Sequence, residues 1–285
     1  MPETLSDWDG RAGSSRFEEY AHRYRDFFVM TRRGGILEMR MHTDGGPLRH
    51  SWIGHNAWNQ AWLEVGNDPD NEVLILTGTG NRWHSGDPGE LWRTPFPRWS
   101  PDSQLKMHSD MVKLLENLAF AIDIPTIAAV NGPGTHCEFA TLCDITLCVE
   151  DADFFDPHFL AGAVPGDGMG LTLQQTIGAK RASYYMYTGK PIDGRTALQL
   201  GLVNEVLPRA ELLPRAWEIA EMIMRRPRVT RRLTHAIAIR PWKQALVNDL
   251  GFHTAHQLWS MSMGEGGRMD LLRELGDRVT DEANS

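Results

Sequence analysis

Apolar and polar positions follow two rhythms along this chain, one of period two or continuous, the other of helical period. Residues 36–41 set Leu37, Met39 and Met41 against Glu38 and Arg40, the alternation of a half-buried strand, and Asp44-Gly45-Gly46 closes it. In residues 53–66, Trp58, Ala61, Trp62 and Val65 recur at helical spacing, with Gly66 as a natural stop. Residues 73–76, Val-Leu-Ile-Leu, form a continuous apolar run of the kind buried on both faces. Strand, helix and strand make one crossover unit. Met111, Leu114, Leu115 and Leu118 predict a long amphipathic helix ended by Asp123 and Pro125. Further short strands are predicted at 127–130, 145–149 and 153–155, the first broken by Asn131-Gly132-Pro133-Gly134. Elements continue to alternate through 171–177, 182–187, 196–200 and 203–207. From residue 211 onward the pattern is helical only, at 212–224, 229–239 and 242–263, and no internal repeat is present. The expected organisation is an α/β core over residues 16–208 and a C-terminal helical region over 209–285. Residues 1–15, polar and Gly/Ser-rich, read as a flexible arm.

Composition narrows the function classes. The 285 residues suffice for a sizeable core, and 41% hydrophobic with 23% charged residues is ordinary for a globular chain. With a formal net charge of −8 and no basic stripe, nucleic acid is not an expected partner. The densest basic patch, Arg225, Arg226, Arg228, Arg231 and Arg232, reads as a solvated helix face. No apolar run approaches the roughly 18 residues of a membrane span, and no membrane association is expected. Cys137, Cys143 and Cys148 lack disulfide-framework spacing, which points to a reducing, cytoplasmic setting. Eleven histidines raise the question of a metal, yet no His-x-His, His-Glu-x-x-His or paired-cysteine spacing occurs, so no metal or other cofactor is expected.

The candidate chemistry follows strand ends in residues 126–170. His136 and Glu138 sit where a turn meets a short helix, His158 closes the Asp156-Pro157-His158 turn, and Pro165-Gly166-Asp167-Gly168 places Asp167 at the start of the next helix. An aspartate beside a histidine orients the ring and stabilises its charged form, leaving the other nitrogen to take a proton from water. On spacing alone, the better reading is Asp167 as a helix cap and His158 as a structural histidine. The 91–100 stretch, with Trp92, Phe96 and Trp99, is a loop or lid whose aromatics either line a pocket or pin the loop down.

These residues carry a resemblance. Ile127-Ala-Ala-Val-Asn-Gly132, Cys137-Glu138-Phe139-Ala140, Cys143-Asp144-Ile145, the Asp156-Pro157-His158 turn and Val164-Pro165-Gly166 resemble the central block of the crotonase (enoyl-CoA hydratase/isomerase) superfamily over about forty residues. The departures from its CoA-dependent members are specific. Their glycine run before the Cys-Glu pair is here the shorter Pro133-Gly134-Thr135-His136, and their second catalytic glutamate is here His158. Asp87-Pro88 stands where their Ala-Asp pair follows the first oxyanion-hole loop. The chain is more similar to the branch typified by 6-oxocamphor hydrolase, β-diketone hydrolases that cleave a carbon–carbon bond by a retro-Claisen reaction without CoA. His136, His158 and Asp167 match that branch's two histidines and aspartate.

The resemblance implies a crotonase-type ββα spiral, a homotrimer or dimer of trimers, and a small-molecule diketone substrate. His158, Asp167 and His136 are then catalytic. Ser85 falls at the first oxyanion donor, and Glu138 at the superfamily's other glutamate. His50, with Trp52 two residues away, stands where the branch has a ketone-touching tryptophan, and Gln257 where it has a glutamate in the last helix. Trp83, Trp92, Phe96, Trp99 and Phe155 fit a bulky apolar, cyclic substrate. The alternatives implied are a CoA-ester hydratase, isomerase or thioesterase, and a non-catalytic oligomeric binding protein.

Overall fold

The computed structural model describes residues 14–84 and 99–263, and the facts below concern those residues. Ser85, Trp92 and Phe96, most of the N-terminal arm and the end of the helical region lie outside them. A six-stranded sheet runs in the order β1 (Phe28–Arg33), β2 (Ile36–Met41), β3 (Val73–Thr77), β4 (Thr126–Val130), β5 (Ile145–Val149), β8 (Glu205–Leu207). β1 and β2 form an antiparallel hairpin, and every later pairing is parallel. A second, two-stranded sheet pairs β6 (Asp153–Phe154) with β7 (Ile192–Asp193). The fold is mixed α/β with a parallel-rich sheet and a helical C-terminal region.

The central strands are parallel and buried because both faces are covered. Every residue of β3 and β4 is buried, which is why they read as continuous apolar runs rather than alternations. α2 (Trp52–Gly66) and α3 (Pro101–Ala121) pack together, while α8 (Arg209–Met224) packs against β3, β4 and β5. Ser51 caps α2 by accepting from the Gly54 amide at 3.0 Å, and Ser100 caps α3 at the Ser103 amide at 3.1 Å. β2 is more buried than a half-buried strand. Glu38, on its nominally polar face, is covered and accepts from Trp217 Nε1 at 2.8 Å and Arg40 at 2.7 Å.

Two expectations change. Asp167 does not start the next helix: α5 runs Met169–Ile177, its N-cap is Gly168, and no side chain caps it. Nor is the basic patch simply a solvated face. On α9 (Arg228–Ala238), Arg231 is buried against Glu72 and the carbonyls of Met224 and Arg226. Arg228 pairs with Glu72 at 2.7 Å and Arg232 with Asp123 at 2.6 Å. These arginines clamp the helical region to the turns before β3 and β4.

Candidate active site

The turn after β4 is built to present His136. Asn131 bridges the ends of β3 and β4, accepting from the Gly78 amide at 3.2 Å and donating to the Gly80 carbonyl at 3.0 Å. Gly134 lies so close to the His84 backbone that a Cβ would come within 2.4 Å of its nitrogen. Gly134 also bridges to Phe154, tying this turn to the strand before Asp156. His136 itself has φ of 56°, a left-handed conformation that a bulky side chain adopts only where the surroundings enforce it. Trp83, fully buried, donates its Nε1–H to the His136 carbonyl at 3.1 Å. It braces the turn from behind.

Five ionisable side chains meet in front of this turn. His136 Nδ1 lies 2.6 Å from Glu138 Oε1, the first residue of α4 (Glu138–Leu142). His158 Nδ1 lies 2.6 Å from Asp156 Oδ1, which also accepts the His158 backbone N–H at 2.8 Å. Asp167 Oδ2 stands between the rings, 3.7 Å from His158 Nδ1 and 3.9 Å from His136 Nδ1. The hydrogen-bonded partner of His158 is therefore Asp156, with Asp167 a bridging counter-charge. Its own turn gives the reason: an aspartate two residues ahead folds back on the backbone N–H and brings its oxygen to the ring.

One oxygen on each of the three carboxylates, Glu138 Oε2, Asp156 Oδ2 and Asp167 Oδ1, is buried without a protein partner. Buried acceptors in this state are sites for water or a reactant. Burial disfavours a charged His158, but Asp156 and Asp167 outweigh it and push the ring's pKa up to about 10. Burial likewise opposes charge on His136, and Glu138 at its Nδ1, with Asp167 beyond, raises its pKa. Both rings are thus donors in the resting cluster.

On the far side of His136 lie more histidines. His50 stacks on it with ring centroids 4.7 Å apart and planes 9° from parallel, and His84 lies 5.2 Å away. His50 is buried, and burial, helped by the nearby His136, His55 and His84, holds its pKa well below the usual value. Gln257, on α11 (Gly251–Ser262), is buried and accepts from the Gly166 amide at 3.2 Å, so it holds the Asp167 turn. Phe155 is buried beside the cluster's turn. Trp52 meets Trp99 edge-on at 6.0 Å, above a small second core of Met107, Met111, Ala163, Leu258 and Met261.

Three sets bring ligand-type atoms within 4.8 Å of one another: His50, His84 and His136; His136, Glu138 and Asp167; Asp156, His158 and Asp167. In the first, the parallel stack of His50 on His136 sends in-plane lone pairs side by side rather than to one point. In the others each histidine Nδ1 already faces a carboxylate at 2.6 Å. None is a preformed cage of the geometry a transition metal takes. The three cysteines, all buried, have thiol pKa values raised by burial, Cys143 and Cys148 to about 12, and contribute no nucleophile. Among the described residues no helix is long and apolar enough to cross a membrane.

The mixed α/β fold with its parallel-rich sheet and helical C-terminal region is that of a crotonase-superfamily enzyme. Residues 55–262 match the enoyl-CoA hydratase/isomerase family, and the chain belongs to it. A β-diketone hydrolase from the cyanobacterium Anabaena sp. PCC 7120, solved with (S)-3-oxocyclohexyl acetic acid bound, is 32% identical. It superposes with a TM-score of 0.81 over 86% of this chain and 97% of that one. A crotonyl-CoA hydratase from Syntrophomonas wolfei is 31% identical over 61% of this chain, and a hydroxycinnamoyl-CoA hydratase-lyase from Pseudomonas fluorescens 31% identical over 59%. The matches span 66% and 62% of those two relatives' own lengths.

Proposed function

We propose that the chain is a CoA-independent hydrolase that cleaves a carbon–carbon bond of a cyclic β-diketone by a retro-Claisen reaction. The observation that carries this reading is His158, in place of a second glutamate, beside three buried carboxylate oxygens without a protein partner. Similarity to the Anabaena β-diketone hydrolase across most of both chains supports it.

In this reading a water lies against the unpartnered carboxylate oxygens and its proton passes to Nε2 of neutral His158. The water oxygen bonds to one carbonyl carbon. The carbon–carbon bond to the central carbon then breaks, its electron pair forming an enolate on the other carbonyl. The His136 N–H holds that oxygen, with His50 beside it. A proton from His158 returns to the enolate carbon and a keto acid leaves, so water is the only co-reactant. Stabilising the enolate matters because a simple ketone would expel a bare carbanion.

His158→Ala lowers turnover by roughly 10²–10⁴, the usual share of a general base. His136→Ala lowers it by roughly 10²–10³, the usual share of an oxyanion donor. A panel of cyclic 1,3-diketones and acyl-CoA esters tests the reading. Turnover of a diketone without added cofactor supports it, and turnover of CoA esters alone overturns it. The CoA-ester reading has its own support in Glu138, at the superfamily's glutamate position, and in the two CoA-acting relatives.

A further inference from the structure

We infer that His55 and Asp110 form a second histidine–carboxylate pair that positions His50, and through its stacked ring His136, on the carbonyl-binding side of the site. The inference rests on the reading of His136 as carbonyl donor. No spacing links the two residues, which stand on different helices.

His55 lies in the first turns of α2 and Asp110 in the middle of α3, both buried at the α2–α3 interface. His55 Nδ1 bonds Asp110 Oδ2. Asp110 Oδ1 accepts from Asn59 at 3.2 Å and Asn56 at 3.3 Å, so both carboxylate oxygens are satisfied. Burial opposes charge on Asp110, yet the His55 bond and charge, with Asn59 and Asn56, hold its pKa below the ordinary range. A charged acceptor at Nδ1 fixes the proton there and leaves Nε2 at the ring's other end, since the bond at one nitrogen sets the state of the other.

The ring itself lies against the histidine cluster. The His55 ring meets His50 edge-on at 5.3 Å and 71°, and His136 at 6.3 Å and 73°. His50 and His55 line one narrow cleft with Leu48, Ser51, Gly54 and His84. The rings therefore run in sequence from Asp110 through His55 and His50 to His136 and Glu138, a carboxylate at each end. As a mere fastener the pair is a poor choice, because apolar side chains of similar volume hold two helices at least as well as buried charged groups. Its place is explained by what it touches. A His50 ring clamped between His55 and the stacked His136 has one orientation.

Ring-nitrogen NMR of the histidines reads tautomers directly and needs no substrate. The comparison is wild type, His55→Gln, Asp110→Asn and, as a control in the same helix interface, Asn117→Ala, which removes a bond to Asn59. The wild type shows one tautomer for His50. His55→Gln and Asp110→Asn, which keep a donor and an acceptor in place, give mixed tautomers. On a confirmed diketone they also lower kcat about 10–100-fold, the usual effect of losing an orienting partner, with little change in KM. Asn117→Ala lowers the thermal midpoint alone. A folded His55→Gln protein whose His50 tautomer matches wild type overturns the proposal. Tautomer mixing in a protein that turns over no diketone upholds the positioning pair and sinks the diketone reading instead.

Discussion

His158 carries the sharpest consequence at the scale of single residues. The carboxylates that orient the ring also keep it protonated, and with a pKa of about 10 only about one ring in a thousand is neutral at neutral pH. A base that works in its neutral form gains activity as pH rises, so kcat/KM on a diketone should climb through neutrality and level off near 10. A profile that falls over this range would assign His158 the role of cationic donor. Asp156→Asn should move the climb toward lower pH by more than Asp167→Asn, because the first carboxylate is 2.6 Å from Nδ1 and the second 3.7 Å. Strand-end turns singled out His136, His158 and Asp167 in the sequence, and the family resemblance gathered them into one candidate site. Asp156 was visible as the start of the same turn, but its bond to His158 depends on how the turn closes. His55 and Asp110 had no signal at all, being 55 positions apart on two helices whose meeting is a matter of packing.

Secondary elements were legible wherever burial is two-sided or strongly periodic. β3, β4, β5 and the long helices stand close to where apolar patterning puts them. The edge strand β1 was not legible, since its inward positions are Phe28, Met30 and the charged Arg32, which is covered by pairing with Asp68. The last helical stretch reads as continuous from 242 to 263, yet it contains a π-helical turn, Leu246–Leu250, between α10 (Arg240–Ala245) and α11. Charge patterning misread α9 because a helix pattern does not reveal which arginine meets a buried glutamate. Glu72→Ala leaves Arg231 buried without its counter-ion and should destabilise the fold by about 3–5 kcal/mol in denaturant unfolding. At Gly168, φ is +123° and a Cβ would lie 2.2 Å from Leu115 Cδ1. Gly168→Ala should therefore cost about 1–3 kcal/mol of stability and displace Asp167.

For the whole molecule, family membership fixes the fold, and the resemblance adds a homotrimer or dimer of trimers as the assembly we propose. α9 offers a surface suited to a second copy: Val229, Leu233 and Ile237 recur every four residues and are all more than 60% exposed. Light scattering should give a trimer or hexamer, and Leu233→Asp should lower the assembly state; a strict wild-type monomer would contradict the proposed association. The overall reaction is tested most directly by turning over a cyclic 1,3-diketone in heavy-oxygen water with no CoA present. Ring opening by water attack predicts a keto acid with one heavy oxygen in its carboxylate, formed by the wild type and lost to background in His158→Ala. A folded enzyme that leaves every diketone intact while hydrating or hydrolysing CoA esters would contradict it.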